Sequence, residues 1–313
     1  MSNSNLVSIV IPVYNEEQNL PNFIEKLIKN TKAIDNEFEL IFVNDGSTDK
    51  SVNVIEKLKQ KNFKIITLVR NFGQTAAIMA GIDNSKGKII ILIDGDGQND
   101  PSEIYRLLNM IKNDGFDVVS GWRYKRNDSF LRVFFSKVAN TFLSFFLNLK
   151  LHDYGCTLKA YKSDIIKNIK LYGEMHRLIP FYAKLEGAKI GEVKVNHFPR
   201  KFGKSKYGMS RIFKVLLDTI LLVFFRKFIN KPIYFFGGVG LIFFFFSCLT
   251  FVYALKLKYV NGISFILTPL PILIIFFFIT SIMSLFFGLI SEILSRTYHE
   301  SQSKKSYTIK SIN

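Results

Sequence analysis

The sequence predicts an α/β domain built on a mostly parallel sheet, followed by a C-terminal pair of membrane-spanning helices. Three observations carry this. Short Val/Ile-rich runs alternate with segments of helical period through residues 1–120; acid-bearing polar clusters follow three of those runs; and two uncharged stretches of more than twenty residues come late in the chain.

Val7–Val13, Glu39–Val43, Lys64–Leu68 and Ile89–Ile93 read as strands, being short, apolar and rich in β-branched residues. Between them, Asn19–Asn30 and Ser51–Lys61 repeat apolar residues at helical spacing. Such alternation gives a parallel sheet whose ligands gather at the carboxyl ends of its strands. The polar clusters fall there: P-V-Y-N-E-E (Pro12–Glu17), N-D-G-S-T-D (Asn44–Asp49) and D-G-D-G-Q-N-D-P (Asp94–Pro101). Taken singly, each also suits a turn or a helix N-cap. Three on one sheet edge point to a ligand site. Neither glycine-rich phosphate-loop pattern occurs, so a diphosphate has to be neutralised by other means. Carboxylates holding a divalent ion would do it, and Asp94, Asp96 and the Gln98 amide are hard oxygen ligands suited to Mg²⁺ or Mn²⁺.

The spans come next. Ile233–Leu255 holds 23 residues without a charge, roughly 35 Å as a helix. Ile263–Ile290 is also uncharged, and Pro269 and Pro271 near its start delay the helix to about residue 268–270. Uncharged runs of this length are rarely cores of soluble proteins. Nine Lys/Arg lie between Arg200 and Lys231, two (Lys256, Lys258) between the spans, and four (Arg296, Lys304, Lys305, Lys310) in the tail. The positive-inside rule then puts both termini in the cytoplasm. Ser129–Leu149 and Met209–Ile229 mix basic residues with Phe and Leu at helical spacing and are expected to be interfacial helices. The expected organisation is a cytosolic catalytic domain over 1–207 (129–149 interfacial), a juxtamembrane amphipathic helix over 208–230, two transmembrane helices within 231–292 (about 233–255 and 268–290) and a basic tail over 293–313.

Charge agrees with that division. Residues 1–120 carry 13 Lys/Arg against 16 Asp/Glu, whereas residues 121–313 carry 29 against 9, of a total of +17. The basic half is expected to face anionic lipid; it surrounds the spans, and no nucleic-acid recognition motif is present. With 48% hydrophobic residues and 32 Phe, disorder is excluded. Two cysteines, Cys156 and Cys248, make no disulfide framework, and the four histidines lack zinc-ligand spacing. The N-terminus has no basic region, and the apolar run after it reads as a strand rather than a signal peptide.

The order P-V-Y-N-E, N-D-G-S-T-D, R-N-F-G-Q and D-G-D-G-Q resembles the family 2 glycosyltransferases of the GT-A fold. Later blocks, G-W-R-Y-K-R (Gly121–Arg126), D-Y-G-C-T-L-K-A-Y (Asp153–Tyr161), E-M-H-R (Glu174–Arg177) and R-K-F-G-K-S-K-Y-G (Arg200–Gly208), are similar to those of polyprenyl-phosphate glycosyltransferases, with lipid A-modifying members nearest. The resemblance implies a Rossmann-like nucleotide-sugar domain, a divalent ion, a nucleotide-sugar donor (UDP-linked hexose, N-acetylhexosamine or amino-arabinose) and undecaprenyl phosphate as acceptor, at the bacterial inner membrane. It implies that Pro12, Tyr14, Glu16, Asp45, Asn71, Gln74 and Asp94 bind the nucleotide sugar, with Asp45 receiving the base. Asp94, Asp96 and Gln98 would hold the metal. Arg123, Arg132, Ser136, Arg200, Lys204 and Lys206 would hold the lipid phosphate, and Asp96, Asp153 and Arg123 would serve the chemical step. One departure is Gly97, where relatives carry a larger apolar residue such as Leu.

Other readings are a membrane-anchored nucleotide-sugar-binding scaffold without turnover, and a mannose synthase using GDP-mannose. A processive polysaccharide synthase is excluded, because its Q-x-x-R-W motif needs a Trp that the chain, whose one Trp is Trp122 in Gly-Trp-Arg, does not supply there. Homo-oligomerisation is left open by the sequence.

Overall fold

A computed structural model describes residues 5–124, 140–141, 143–144, 147–169, 171, 173, 175–200, 202, 224, 228 and 231–301. The chain divides into two compact units, Met1–Thr219 and Ile220–Asn313.

In the first unit, β1 (Leu6–Val13), β2 (Glu37–Asn44), β3 (Phe63–Thr67) and β4 (Ile89–Leu92) alternate with α1 (Leu20–Lys32), α2 (Ser51–Lys57) and α3 (Gln74–Asp83). Then follow α4 (Ile104–Lys112), β5 (Val118–Arg123), β6 (Lys159–Lys162), α5 (Ser163–Ile166), α6 (Ile179–Leu185) and β7 (Ile190–Val195). The first four strands lie within two residues of their expected ends, and α2 stops four residues short of Lys61.

The seven-stranded sheet has the order β3-β2-β1-β4-β6-β5-β7. All of its pairings are parallel except those of β6, which runs antiparallel between β4 and β5. Strand residues alternate between two buried faces. Ile9, Ile11 and Phe42 pack with Leu20, Ile24 and Leu27 of α1 and with Leu107 and Ile111 of α4. Val10, Ile41 and Val43 pack with Ala77, Ile78 and Ile82 of α3 and with Ile179 of α6. Because both faces are covered, the strands read as apolar runs rather than as alternating ones. The chain winds from β1 outward to β3 and then returns to β4 on the other side of β1. The loops after β1 and β4 therefore part at a switch point, which leaves a crevice at the strands' carboxyl ends.

The second unit holds α7 (Pro232–Asn261) and α8 (Leu270–Ser301). Both are long and apolar enough to cross a membrane, and only 11% and 17% of their most apolar windows are buried, the opposite of a core helix. They meet along small residues: Gly240, Ser247 and Ala254, seven apart, are buried or nearly so within this unit. A Cβ on Gly240 would lie 3.1 Å from the Ser281 carbonyl oxygen, and Ser247 Oγ donates to Ile274 O at 3.1 Å. Of the two expected interfacial helices only residues 140–141, 143–144, 147–149, 224 and 228 are described, and Arg132, Ser136, Lys204 and Lys206 lie outside the described residues.

Candidate active site

Three loops at the carboxyl ends of β1, β2 and β4 build the crevice, and side chains from one loop fix the backbone of the next. After β1, Asn15 takes a left-handed backbone (φ 54°), turning the chain so that the N–H groups of Asn15, Glu16 and Glu17 point at the loop after β2. They donate to Ser47 Oγ (3.0 Å), Ser51 Oγ (2.8 Å) and Asp49 Oδ2 (3.1 Å). Asp49 also caps the start of α2, accepting Ser51 N at 2.9 Å. The N-D-G-S-T-D segment is thus both a helix cap and the clamp that shapes P-V-Y-N-E-E.

Asp45, buried at the end of β2, spends both oxygens on the R-N-F-G-Q loop. Oδ1 accepts Phe72 N (2.8 Å) and Oδ2 accepts Gly73 N (2.9 Å). Beside it Gly46 has φ +67°, and a Cβ there would stand 2.5 Å from the Arg70 carbonyl carbon. Only glycine fits the approach of these two loops. Asn71 is exposed on the rim, and Pro12 and Tyr14 are half-buried in the wall after β1. Gln74, the first residue of α3, donates Nε2 to Asp94 Oδ1 at 2.8 Å. Next to it, Thr75 Oγ1 shares a 2.7 Å hydrogen bond with the Nδ1 of buried His176.

The loop after β4 brings the acids together. Asp96 accepts Gln98 N on Oδ1 at 3.0 Å, across Gly97 at φ +74°. A Cβ at Gly97 would meet open space, so a larger side chain would face backbone strain here rather than a clash. The backbone oxygen of Gln98 accepts Phe198 N at 2.9 Å, which ties this loop to the segment before Arg200. Burial pushes the Asp94 carboxyl up, against hydrogen bonds from Thr157 and Gln74 and the charge of Arg123. Burial, with the Asp94 charge beside it, pushes Asp96 up to about 7. No group of three or more His, Cys, Asp and Glu converges among the described residues. Two neighbouring carboxylates, both pushed up by burial and by nearby acid charge, are a donor set that fits a hard divalent ion completing its shell with phosphate oxygens and water.

Two arginines stand against these acids. Arg123, at the end of β5, forms a two-point ion pair with buried Asp153, Nε to Oδ2 at 2.6 Å and Nη2 to Oδ1 at 2.9 Å. Arg200 is ion-paired with Glu16, whose other oxygen accepts Asn19 Nδ2 at 2.7 Å. Arg123 acts electrostatically on Asp94, and Arg200 on Asp96. A pocket of about 260 Å³ opens beside Asp96, lined by Asn19, Asn22, Asn99, Phe198 and Phe202 among others.

Sequence reasoning missed Lys159, which is fully buried at the start of β6 and donates Nζ to Tyr154 O (3.0 Å) and Arg177 O (3.4 Å). Burial lowers its ammonium to about 8. It ties the loop carrying Asp153 to the turn carrying His176.

The description "Glycosyl transferase family 2" belongs to the family profile that matches residues 8–170. The chain is 37% identical over 312 residues to dodecaprenyl-phosphate galacturonate synthase of Rhizobium johnstonii, covering 98% of this chain and 92% of that protein. It is 33% identical over 313 residues to undecaprenyl-phosphate 4-deoxy-4-formamido-L-arabinose transferase of Proteus mirabilis, covering 98% and 94%. Among solved structures, glucosyl-3-phosphoglycerate synthase from Mycobacterium tuberculosis, in complex with Mn²⁺, UDP and glucosyl-3-phosphoglycerate, superposes with a TM-score of 0.55 at 17% identity, over 70% of this chain and 80% of that one.

Proposed function

Because the chain belongs to glycosyl transferase family 2, we propose that it is a membrane-bound, inverting glycosyltransferase that moves a sugar from a nucleotide sugar to undecaprenyl phosphate. The product is a lipid-linked sugar for envelope glycan or lipid A modification, and the donor is UDP-linked. The observation that carries this reading is the meeting, at one switch-point crevice, of the charge-starved Asp94–Asp96 pair with Arg123 and Arg200.

The chemistry calls for such a pairing. A phosphate monoester, with a second pKa of about 6, is already largely ionised near neutrality, so no strong base is needed. A lipid phosphate oxygen attacks the anomeric carbon and forms the new C–O bond. The bond from that carbon to the diphosphate breaks, its electrons leaving with the nucleoside diphosphate, and one displacement inverts the centre. The barrier lies in bringing two anions together and in charge building on the leaving group.

On the donor side, Pro12, Tyr14 and Glu16 wall the nucleotide, and Asp45 holds the 72–73 backbone at the base end with Asn71 on its rim. Gln74 orients Asp94. Asp94, Asp96 and the Gln98 amide would hold Mg²⁺ or Mn²⁺, which supplies neutralisation of the diphosphate. On the acceptor side, Arg123 and Arg200 bind the lipid phosphate with Arg132, Ser136, Lys204 and Lys206. Asp153 serves the step through Arg123, whose planar fork it fixes. The two apolar helices and the relatives support residence in the bacterial inner membrane, and the Lys/Arg bias around the spans favours cytoplasmic termini. Lys/Arg near anionic headgroups add about 1 kcal/mol each to attachment.

The test is mass spectrometry of lipids after incubating detergent-purified protein with undecaprenyl phosphate, Mn²⁺ or Mg²⁺ and a panel of UDP-sugars and GDP-mannose. One new lipid-linked sugar, dependent on one donor and on the metal, is expected. Nucleotide binding with no product from any donor would overturn the enzyme reading in favour of a nucleotide-sugar-binding scaffold.

A further inference from the structure

We propose that Glu192 of β7 is a positioning residue of the acceptor site, acting through Asp153 on Arg123; this rests on the reading of Arg123 and Asp153 just given. Asp153 belongs to a loop (149–155) that has no strand partner, so its backbone N–H groups need acceptors from elsewhere. Glu192 supplies them. Its carboxylate accepts His152 N (2.9 Å to Oε1 and 3.1 Å to Oε2) and Asp153 N (3.2 Å to Oε1). Its Oε2 also takes His152 Nδ1 at 2.6 Å. The Glu192 side chain is 12% exposed, against 63% for that of His152, and its bond to Asp153 N is part-buried.

The geometry makes this more than loop anchorage. Glu192 pairs in register with Ser120 of β5, the strand that ends in Arg123. The two members of the Arg123–Asp153 pair thus come from different segments, and one carboxylate on the neighbouring strand fixes the second against the first. The His152 ring is itself held flat, stacked on Trp122 at 4.0 Å between centroids and 13° between planes. Asp153 is left with its oxygens on Arg123 and on Gly155 N (3.0 Å). A guanidinium held at two points keeps a set orientation, which recognition of a phosphate requires.

The test uses the full-length protein in detergent with Mn²⁺. Undecaprenyl phosphate and UDP are titrated separately, and the fluorescence of Trp122, the one Trp in the chain, is the signal. Glu192→Gln keeps the shape but removes the negative charge and one of the two acceptor oxygens that these donors share. The expected result is a Kd for undecaprenyl phosphate raised about tenfold or more, with the Kd for UDP within about twofold and the melting temperature little changed. In an Asp153→Asn background the same substitution adds less than about twofold, because its route to Arg123 is already cut. Glu192→Asp, which keeps the charge on a shorter arm, gives an intermediate loss and serves if the Gln variant folds poorly. Losses that multiply in the double variant, or that fall equally on UDP, overturn the positioning role. If Asp153→Asn leaves the lipid phosphate affinity unchanged, the acceptor-site reading beneath it falls instead.

Discussion

Glu16 and Arg200, separated by most of the first unit, form an ion pair that joins a residue proposed to wall the donor to an arginine proposed to hold the acceptor phosphate. Asn19 completes the junction, donating to the same carboxylate and, at 3.4 Å, to the carbonyl of Phe202. An arginine shared in this way loses one partner and gains another when an anion enters. Replacing Arg200 with Ala should therefore raise the KM for undecaprenyl phosphate by roughly 10- to 100-fold, as expected for a charged hydrogen bond, and leave the donor KM within about threefold. Steady-state kinetics with each substrate varied in turn checks the split. A rise confined to the donor constant would place Arg200 in the donor site, and an equal rise in both would make its role structural.

Asp96→Ala should abolish turnover, with kcat down by at least about 10²-fold and the fold intact by circular dichroism. Isothermal titration should lose the Mn²⁺ dependence of UDP binding. Full activity would remove Asp96 from the metal site.

The Asp96 carboxyl, raised to about 7, gives this site a pH dependence. Between about pH 4 and 7 the folded domain binds a proton there that the unfolded chain has lost. Asp96 therefore contributes stability at low pH that is lost as pH rises through 7 in metal-free protein. A divalent ion should reverse the trend, since it binds the carboxylate form. Melting curves from pH 5 to 8 with EDTA should slope downward for this contribution, and with Mn²⁺ the gain should grow with pH. Asp96→Asn should remove the difference between the two slopes.

Gly46→Ala should loosen nucleotide binding without touching the acids. The added methyl meets the Arg70–Asn71 backbone at a positive φ, so the R-N-F-G-Q loop must move away from Asp45. We expect a UDP Kd raised several-fold and a stability loss of about 1–3 kcal/mol, read by calorimetry and chemical denaturation.

Cys156 lies fully buried, and burial pushes its thiol up to about 12. In a Cys248→Ser background, maleimide should leave the native protein unlabelled at pH 8 and modify one thiol after denaturation. Rapid native labelling would show that the 154–157 segment opens.

The first four strands were legible because each is short and rich in apolar residues, with β1, β2 and β4 largely buried, and the loops after β1, β2 and β4 carry side chains that only a ligand edge or a cap would concentrate. The later strands were not. β6 is four residues, Lys-Ala-Tyr-Lys, with a buried lysine at its head, and neither composition nor period marks it. β7 reads Ile-Gly-Glu-Val-Lys-Val, where Glu192 looks like a solvated edge charge. Its contacts lie 39 and 40 residues away and depend on a pairing that local sequence does not encode. Asp45 shows the same limit from the other side. Its place at the donor loops follows from the motif, but the commitment of both oxygens to Phe72 and Gly73 follows from how closely Gly46 lets two loops approach.

The antiparallel strand set between β4 and β5 fixes an order of assembly. β5 bonds only to β6 and β7, which are made roughly 40 and 70 residues later, so it leaves the ribosome with no partner in the sheet. Until Lys159–Lys162 arrives, β4 likewise shows an open edge next to a finished β3-β2-β1 layer. The β3-β2-β1-β4 half can thus close early, whereas the half bearing Arg123 waits for long-range pairing, the slow and aggregation-exposed step in sheet formation. Nascent chains that end between Arg123 and Lys159 expose both the open β4 edge and the unpaired β5.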